Sequence, residues 1–189
     1  MVLEGDAEIY RLVADVDRYV AVTGSENDIA QLVEFGAFHG EPIADRWRPV
    51  HVWIQEEYPD QVRHEEADLL GFISGCLVIT ERARQVLSPV LEQVGELLSL
   101  EASSPMYVFN CTNVIDALDT DHTKGTKFPS GVGYMRVESY AMRKTATSGQ
   151  AVFKVPERVA SDIFVSRRVA SLIVENGLAG TSLIPVPTY

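Results

Sequence analysis

The sequence predicts a single α+β domain over residues 1–189, with a mixed or largely antiparallel sheet of short strands and two or three short helices. Three observations lead there. Short apolar runs bounded by turn residues outnumber the helical stripes. Strand and helix signals alternate irregularly, which argues against a regular βαβ array. The 189 residues are 46% hydrophobic and 23% charged, ordinary globular usage. A chain of this length buries about 70% of its unfolded surface, enough for a core without staples. The same arithmetic excludes a disordered chain, a collagen and a low-complexity tract.

The elements follow in order. Glu8 to Val13 alternates loosely and predicts a first strand. Asn27-Asp28 reads as the cap of a short helix carrying Ile29, Leu32 and Val33, ended near Gly36. His51-Val-Trp-Ile54 reads as a strand. Glu56 to Asp68 holds six acids and a proline and reads as an exposed loop. Cys76 to Thr80 is a short buried strand. Thr80 then caps a helix with Ala83, Val86, Leu87, Val90, Leu91 and Val94 at helical spacing. Pro89 interrupts that stripe and predicts a kink, or a restart capped by Ser88.

Glu96 to Leu100 and Met106 to Phe109 read as paired strands joined through a turn at Glu101 to Pro105. Val114 to Asp119 reads as a helical turn, and Thr120 to Gly133 as a polar loop. Tyr134 to Tyr140, Ala151 to Val155 and Asp162 to Val165 are further strands. Ser166 caps a helix with Val169, Leu172 and Ile173 inward, and Gly177 stands where a left-handed C-cap belongs. Gly180 to Val186 is the last strand. No internal repeat is apparent in the sequence.

Charge is distributed unevenly. The chain carries 27 acids and 16 bases, a net charge of −11. Residues 1–68 hold 16 of the acids and 5 of the bases, and residues 69–189 hold 11 of each. The whole imbalance therefore lies in the acidic first part. An anionic surface repels nucleic-acid phosphates and anionic membranes and attracts basic proteins. A solvated, solubilising face is the plainer reading of such a run.

The sequence offers little catalytic chemistry. The two cysteines, Cys76 and Cys111, sit in apolar runs outside any C-x-x-C pair and read as buried small hydrophobes. His39, His51, His64 and His122 show no zinc-site spacing. Ser74 is one residue off a G-x-S-x-G elbow. Gly131-Val-Gly133 lacks a third glycine, and Lys124-Gly-Thr-Lys127 lacks the glycines of a P-loop. Asp116-x-x-Asp119-x-Asp121-His122 groups three carboxylates with an imidazole, which suits a divalent cation or acid/base work. Asp is also enriched in turns for its hydrogen bonds to nearby N–H groups, and that reading is the simpler one. Arg167 and Arg168 fall in a first helical turn, where the dipole disfavours cations, so pairing with acids is expected. No catalytic residue, cofactor or metal is assigned. The amino terminus has no secretory pattern and no apolar stretch is of membrane length, so a cytoplasmic location is expected.

An ordered set of segments adds to this. It runs Gly40-Glu-Pro-Ile-Ala-Asp-Arg-Trp47-Arg-Pro49, Asp68-Leu-Leu, and Ser74-Gly-Cys-Leu-Val-Ile-Thr-Glu-Arg-Ala83. Then come Val108-Phe-Asn-Cys-Thr-Asn-Val-Ile-Asp-Ala-Leu-Asp119, Val152-Phe-Lys-Val-Pro156, Ile163-Phe-Val-Ser166 and Gly177-Leu-Ala-Gly180. The set resembles a bacterial immunity-protein family of polymorphic toxin systems, first catalogued as a domain of unknown function. The likeness extends roughly from Glu8 to Val186, and most matching residues are apolar strand positions and turn glycines. It implies a cytoplasmic antidote that binds and neutralises a cognate secreted toxin and needs no catalytic residues. The acidic part then becomes a candidate surface for a basic toxin, with Glu56, Glu57, Asp60, Glu65, Glu66 and Asp68 as its candidate contacts. A metal-dependent hydrolase using Asp116 to His122, and a non-catalytic scaffold subunit, are the alternatives.

Overall fold

The computed structural model describes residues 3, 7–34, 38–55, 64–131 and 133–189, with the side chains of 31, 33 and 34 excepted. The α+β expectation holds: about 21% of the chain is helical and 36% is in strands. Two four-stranded antiparallel sheets carry the structure. One has β4 (Leu69–Leu70), β5 (Leu77–Thr80), β7 (Met106–Cys111) and β6 (Gly95–Ser99) in that spatial order. The other has β10 (Val152–Phe153), β11 (Ile163–Ser166), β1 (Ile9–Ala14) and β12 (Thr181–Val186). Two ribbons, β2–β3 (Val22–Gly24, Val52–Ile54) and β8–β9 (Lys124–Lys127, Tyr134–Ser139), complete the strands named here.

The two large sheets share one connectivity, which no sequence repeat announced. Each runs strand, strand, capped helix, outer strand, with a fourth strand inserted antiparallel between the second and the outer one. In the first sheet α2 (Glu81–Leu91) links β5 to β6 and β7 is inserted. In the second α4 (Arg167–Glu175) links β11 to β12, and the inserted strand is β1, from the other end of the chain. Each is a split β-α-β unit.

Local chemistry explains both turns from strand to helix. Thr80 is extended and its hydroxyl accepts the Ala83 N–H at 3.3 Å. Ser166 does the same for Val169 at 3.4 Å. These bonds satisfy donors that the first helical turn leaves open. At the far end of α4, Gly177 takes φ +59° and donates to Val174, while Leu178 donates to Ile173. That is a Schellman closure, with Leu178 and Ile173 buried in the same core. Gly180 is required for a different reason. It has φ +112°, and a Cβ there would lie 2.0 Å from the Leu69 carbonyl oxygen.

The central strands β5, β7 and β11 are buried almost throughout and read as largely apolar runs, whereas β6 and β12 expose part of their length. The period of two sorts the side chains into three cores. Leu77, Ile79, Phe109 and Cys111 face a shared core with Tyr10, Val152, Ile163 and Val165, filled by α2 and α4. Val78, Met106 and Val108 face a second core with Val22, Leu32, Phe38 and Val52. Phe153, Phe164 and Ile9 face a third with Leu118, Tyr134 and Met142.

Four expectations change. The first helix, α1 (Glu26–Glu34), is capped by Ser25, whose Oγ accepts the Asp28 N–H at 3.2 Å, rather than by Asn27-Asp28. Val33's side chain and Gly36 lie outside the described residues. Helix α2 passes through Pro89 to Leu91 without a restart, because the proline stands near its end and Val90 and Leu91 are buried. Val114 to Asp119 is not a helical turn: Val114 bridges Lys154 and Leu118 bridges Met142, so pairing with distant strands overrides a weak local preference. The loop from Thr120 contains β8, which pairs with β9 as a local hairpin with irregular register. A further short helix, α3 (Lys144–Thr147), carried no sequence signal that was read.

Candidate functional site

The acid-rich segment is placed by its two ends. Gln55 N–H donates to Ala21 O at 2.9 Å. Glu65 N–H donates to Arg18 O at 3.0 Å, and Val20 N–H to Glu65 O at 2.9 Å. Both ends are therefore fastened to the stretch that leads into β2. Glu56, Glu57 and Asp60 lie outside the described residues. Glu65 and Glu66 are exposed. Glu65 receives a two-pronged contact from Arg18, Nε at 3.0 Å and Nη2 at 3.1 Å, with both side chains more than half exposed.

Asp68 has a different setting. Its carboxylate accepts from Arg82 Nη1 at 2.5 Å, Thr80 Oγ1 at 3.3 Å and the Ala179 N–H at 3.1 Å. Arg82 also donates to the Asn176 carbonyl at 2.7 Å, at the end of α4. Asp68 thus ties β4, the first turn of α2 and the end of α4 together. It is the one candidate contact held this way among those described.

A residue that sequence reading passed over stands beside the segment. In β3, Val52 is buried while Trp53 is 45% exposed. Its ring lies 5.7 Å from that of His51, itself exposed. The alternation Val-Trp-Ile next to an acidic run was the available signal, since it turns a large aromatic outward.

The Asp116 to His122 stretch acts locally. Asp116 pairs with Arg143 at 2.7 Å. Asp119 accepts from the His122 ring at 2.8 Å and from the N–H groups of Asp121 and His122. These bonds, the His122 ring first, hold the Asp119 carboxyl below its usual range. The His122 ring stacks on Tyr189 at 4.2 Å. Among the described residues no three His, Cys, Asp or Glu side chains gather as a cation site. Arg167 donates to the Ala7 carbonyl at 3.4 Å, and Arg168 is exposed.

Ser74 lines a cavity of about 270 Å³ with Arg11, Cys76 and Asp162. Asp162 is already taken by Tyr140 at 2.6 Å, Arg158 at 3.1 Å and Arg11 at 3.4 Å. Cys76 and Cys111 are free thiols. Burial pushes Cys76 up to about 12 and Cys111 up to about 11. At pH 8 both stay protonated, and the thiol form is a poor nucleophile. Ellman's reagent at pH 8 is expected to leave buried Cys111 unmodified in the folded chain, to react only slowly with half-buried Cys76, and to titrate both in denaturant. Rapid modification of the native protein would contradict the burial described.

These geometries define a class first: an acidic α+β protein whose titratable clusters, where described, mostly serve its own fold. A model of the immunity protein family Imm11 matches residues 48–188, well over half of the chain. The chain belongs to the Imm11 immunity protein family. The match starts inside the Gly40 to Pro49 segment and contains every later segment of the resemblance. None of the curated proteins matches the chain. No described helix is long and apolar enough to cross a membrane.

Proposed function

We propose that this chain is a cytoplasmic immunity protein that binds a cognate antibacterial toxin and blocks it by occlusion rather than by catalysis, with the acidic first part facing a basic surface of the toxin. Family membership over residues 48–188 is the observation that carries the toxin reading. The charge distribution supports the choice of face, since the net −11 lies wholly in residues 1–68. Exposed Glu65 and Glu66, with Glu56, Glu57 and Asp60 in the segment between the two tethered ends, are the proposed contacts. Asp68 is assigned instead to the internal clamp. Nucleic acid and anionic membranes are not partners on this reading, because the same charge repels them.

Steering by exposed charge acts mainly on association rate. Converting Glu56, Glu57, Glu65 and Glu66 to Gln and Asp60 to Asn is expected to slow association about 10-fold or more at low salt. Thermal stability should hardly move. The measurement is surface-binding kinetics against the catalytically silenced toxin from the adjacent reading frame, at low and high salt. An unchanged association rate with an intact fold would reduce the acids to a solubility feature.

A further inference from the structure

We propose that the cavity lined by Ser74 takes an extended, uncharged peptide segment of a partner protein, which adds to β1 at Ala14. The inference rests on the reading above only in taking the cognate toxin as the source of that segment.

The opening arises because β1 outruns one of its neighbours. Along β12 its pairing continues to Ala14, opposite Thr181. Along β11 it stops at Leu12, opposite Ile163. One step further Ser161 would face Ala14, but the chain has turned away. The Ser161 and Asp162 N–H groups both donate to the Arg158 carbonyl, at 2.9 and 3.1 Å. Hydrogen-bonding direction alternates along a strand. The Glu8 carbonyl accepts from the Arg167 N–H, just beyond β11, at 2.8 Å. The Asp15 N–H donates to the Gly180 carbonyl, just before β12, at 3.0 Å. Even-numbered residues of β1 therefore turn their N–H and C=O to the β11 side, and odd-numbered ones to the β12 side. Ala14 is the even residue left over, and among the described residues none bonds its N–H or C=O there. Half-buried main-chain groups of this kind call for a partner.

The space beside Ala14 fits a chain rather than a charged ligand. About 270 Å³ lies between residues 11–14 and 16 on one side, 71–77 on the other and 161–163 at the end. That is below the roughly 300–1,000 Å³ of drug-sized sites. The charged residues that line it are Arg11 and Asp162, and they pair with each other at 3.4 Å. An ionic ligand finds no spare charge there. The facing wall offers half-buried Phe72 and Ile73 and buried Leu77, with Ser74 at the exposed mouth. Gly71 lets this wall come close, since a Cβ there would lie 2.8 Å from Val16 Cγ1 and 3.2 Å from Ala14 Cβ. Val16, 47% exposed, continues the apolar surface outward. Free main-chain groups and a pocket for an alternate side chain are the two parts of recognition by strand addition. A segment that pairs with Ala14 and turns one aliphatic side chain to the wall meets both.

Cys76 lines the cavity and serves as its reporter, with buried Cys111 as the internal control. In the complex with the catalytically silenced toxin, slow alkylation of Cys76 by N-ethylmaleimide at pH 8 is expected to fall at least about 10-fold. Hydrogen exchange at the Ala14 amide should slow by a similar factor, while Val13, already paired with β12, stays as it was. Ser74→Trp, placed at the exposed mouth, should speed dissociation at least about 10-fold with circular dichroism unchanged, and Ser74→Ala should leave the rate alone. A complex that forms with Cys76 alkylation and Ala14 exchange unaltered would overturn the cavity site and leave the toxin reading standing. That outcome needs only the wild-type chain, so it decides even where Ser74→Trp fails to fold. No complex at low salt would overturn the toxin reading and the proposal with it. If Ala14 exchange slows instead as the chain alone is concentrated, the segment belongs to a second copy and the proposal fails.

Discussion

Replacing Lys154 by Met is expected to lower the unfolding free energy by about 3 kcal/mol or more. Lys154 is fully buried between Phe153 and Val155, both in the third core. Its ammonium donates to the carbonyls of Phe38 at 2.5 Å, Gly75 at 2.5 Å and Val159 at 3.0 Å. Three donors thus meet three acceptors from three separate loops. Burial pushes the Lys154 pKa below its ordinary value, which is the direction desolvation of a cation dictates. Methionine would fill the volume and leave three buried carbonyls without this donor, each at a cost of about 1–3 kcal/mol. Urea unfolding with a linear extrapolation measures the difference. A loss below about 1 kcal/mol would show that water or other donors take over.

The second large effect is in the shared core. Leu87→Ala should cost about 2–5 kcal/mol. Leu87 is 2% exposed and packs in the cluster that α2 shares with α4 and with strands of both sheets. Truncation there leaves a cavity between elements that cannot easily close on it, because each is fixed by its own sheet. Chemical denaturation monitored by circular dichroism checks it. A change under about 1 kcal/mol would mean that the helix does not carry its load on this face.

The parts that were legible in the sequence are the ones with local causes. Thr80 and Ser166 each announce a helix by the same rule: an extended hydroxyl residue before an apolar stripe. Gly177 announces its end by needing a positive φ. The parts that were not legible depend on distant partners. Val114 to Asp119 has β-branched residues and acids that suit several conformations, and pairing with Lys154 and Met142 decides among them. The matched connectivity of the two sheets was hidden because one inserted strand, β1, comes from the opposite end of the chain. Lys154 gave no sign either, since a lysine in an apolar strand looks like an edge residue until its three carbonyls are placed.

The candidate site divides in the same way. Net charge located the acidic part without any structure. What charge could not do was separate Asp68, whose carboxylate holds Arg82, Thr80 and Ala179 together, from Glu65 and Glu66, which face solvent. Nor did composition show Trp53, whose meaning depends on Val52 beside it pointing inward.

On the proposed function this Imm11 family member neutralises a toxin by binding it. The direct measurement is isothermal titration of the purified chain into the silenced toxin from the adjacent reading frame, paired with growth of cells expressing the active toxin. A stoichiometric complex whose affinity falls as salt rises is expected, with growth restored by the wild-type chain. No complex at low salt, with a folded chain and a toxin that still kills in its presence, would contradict it.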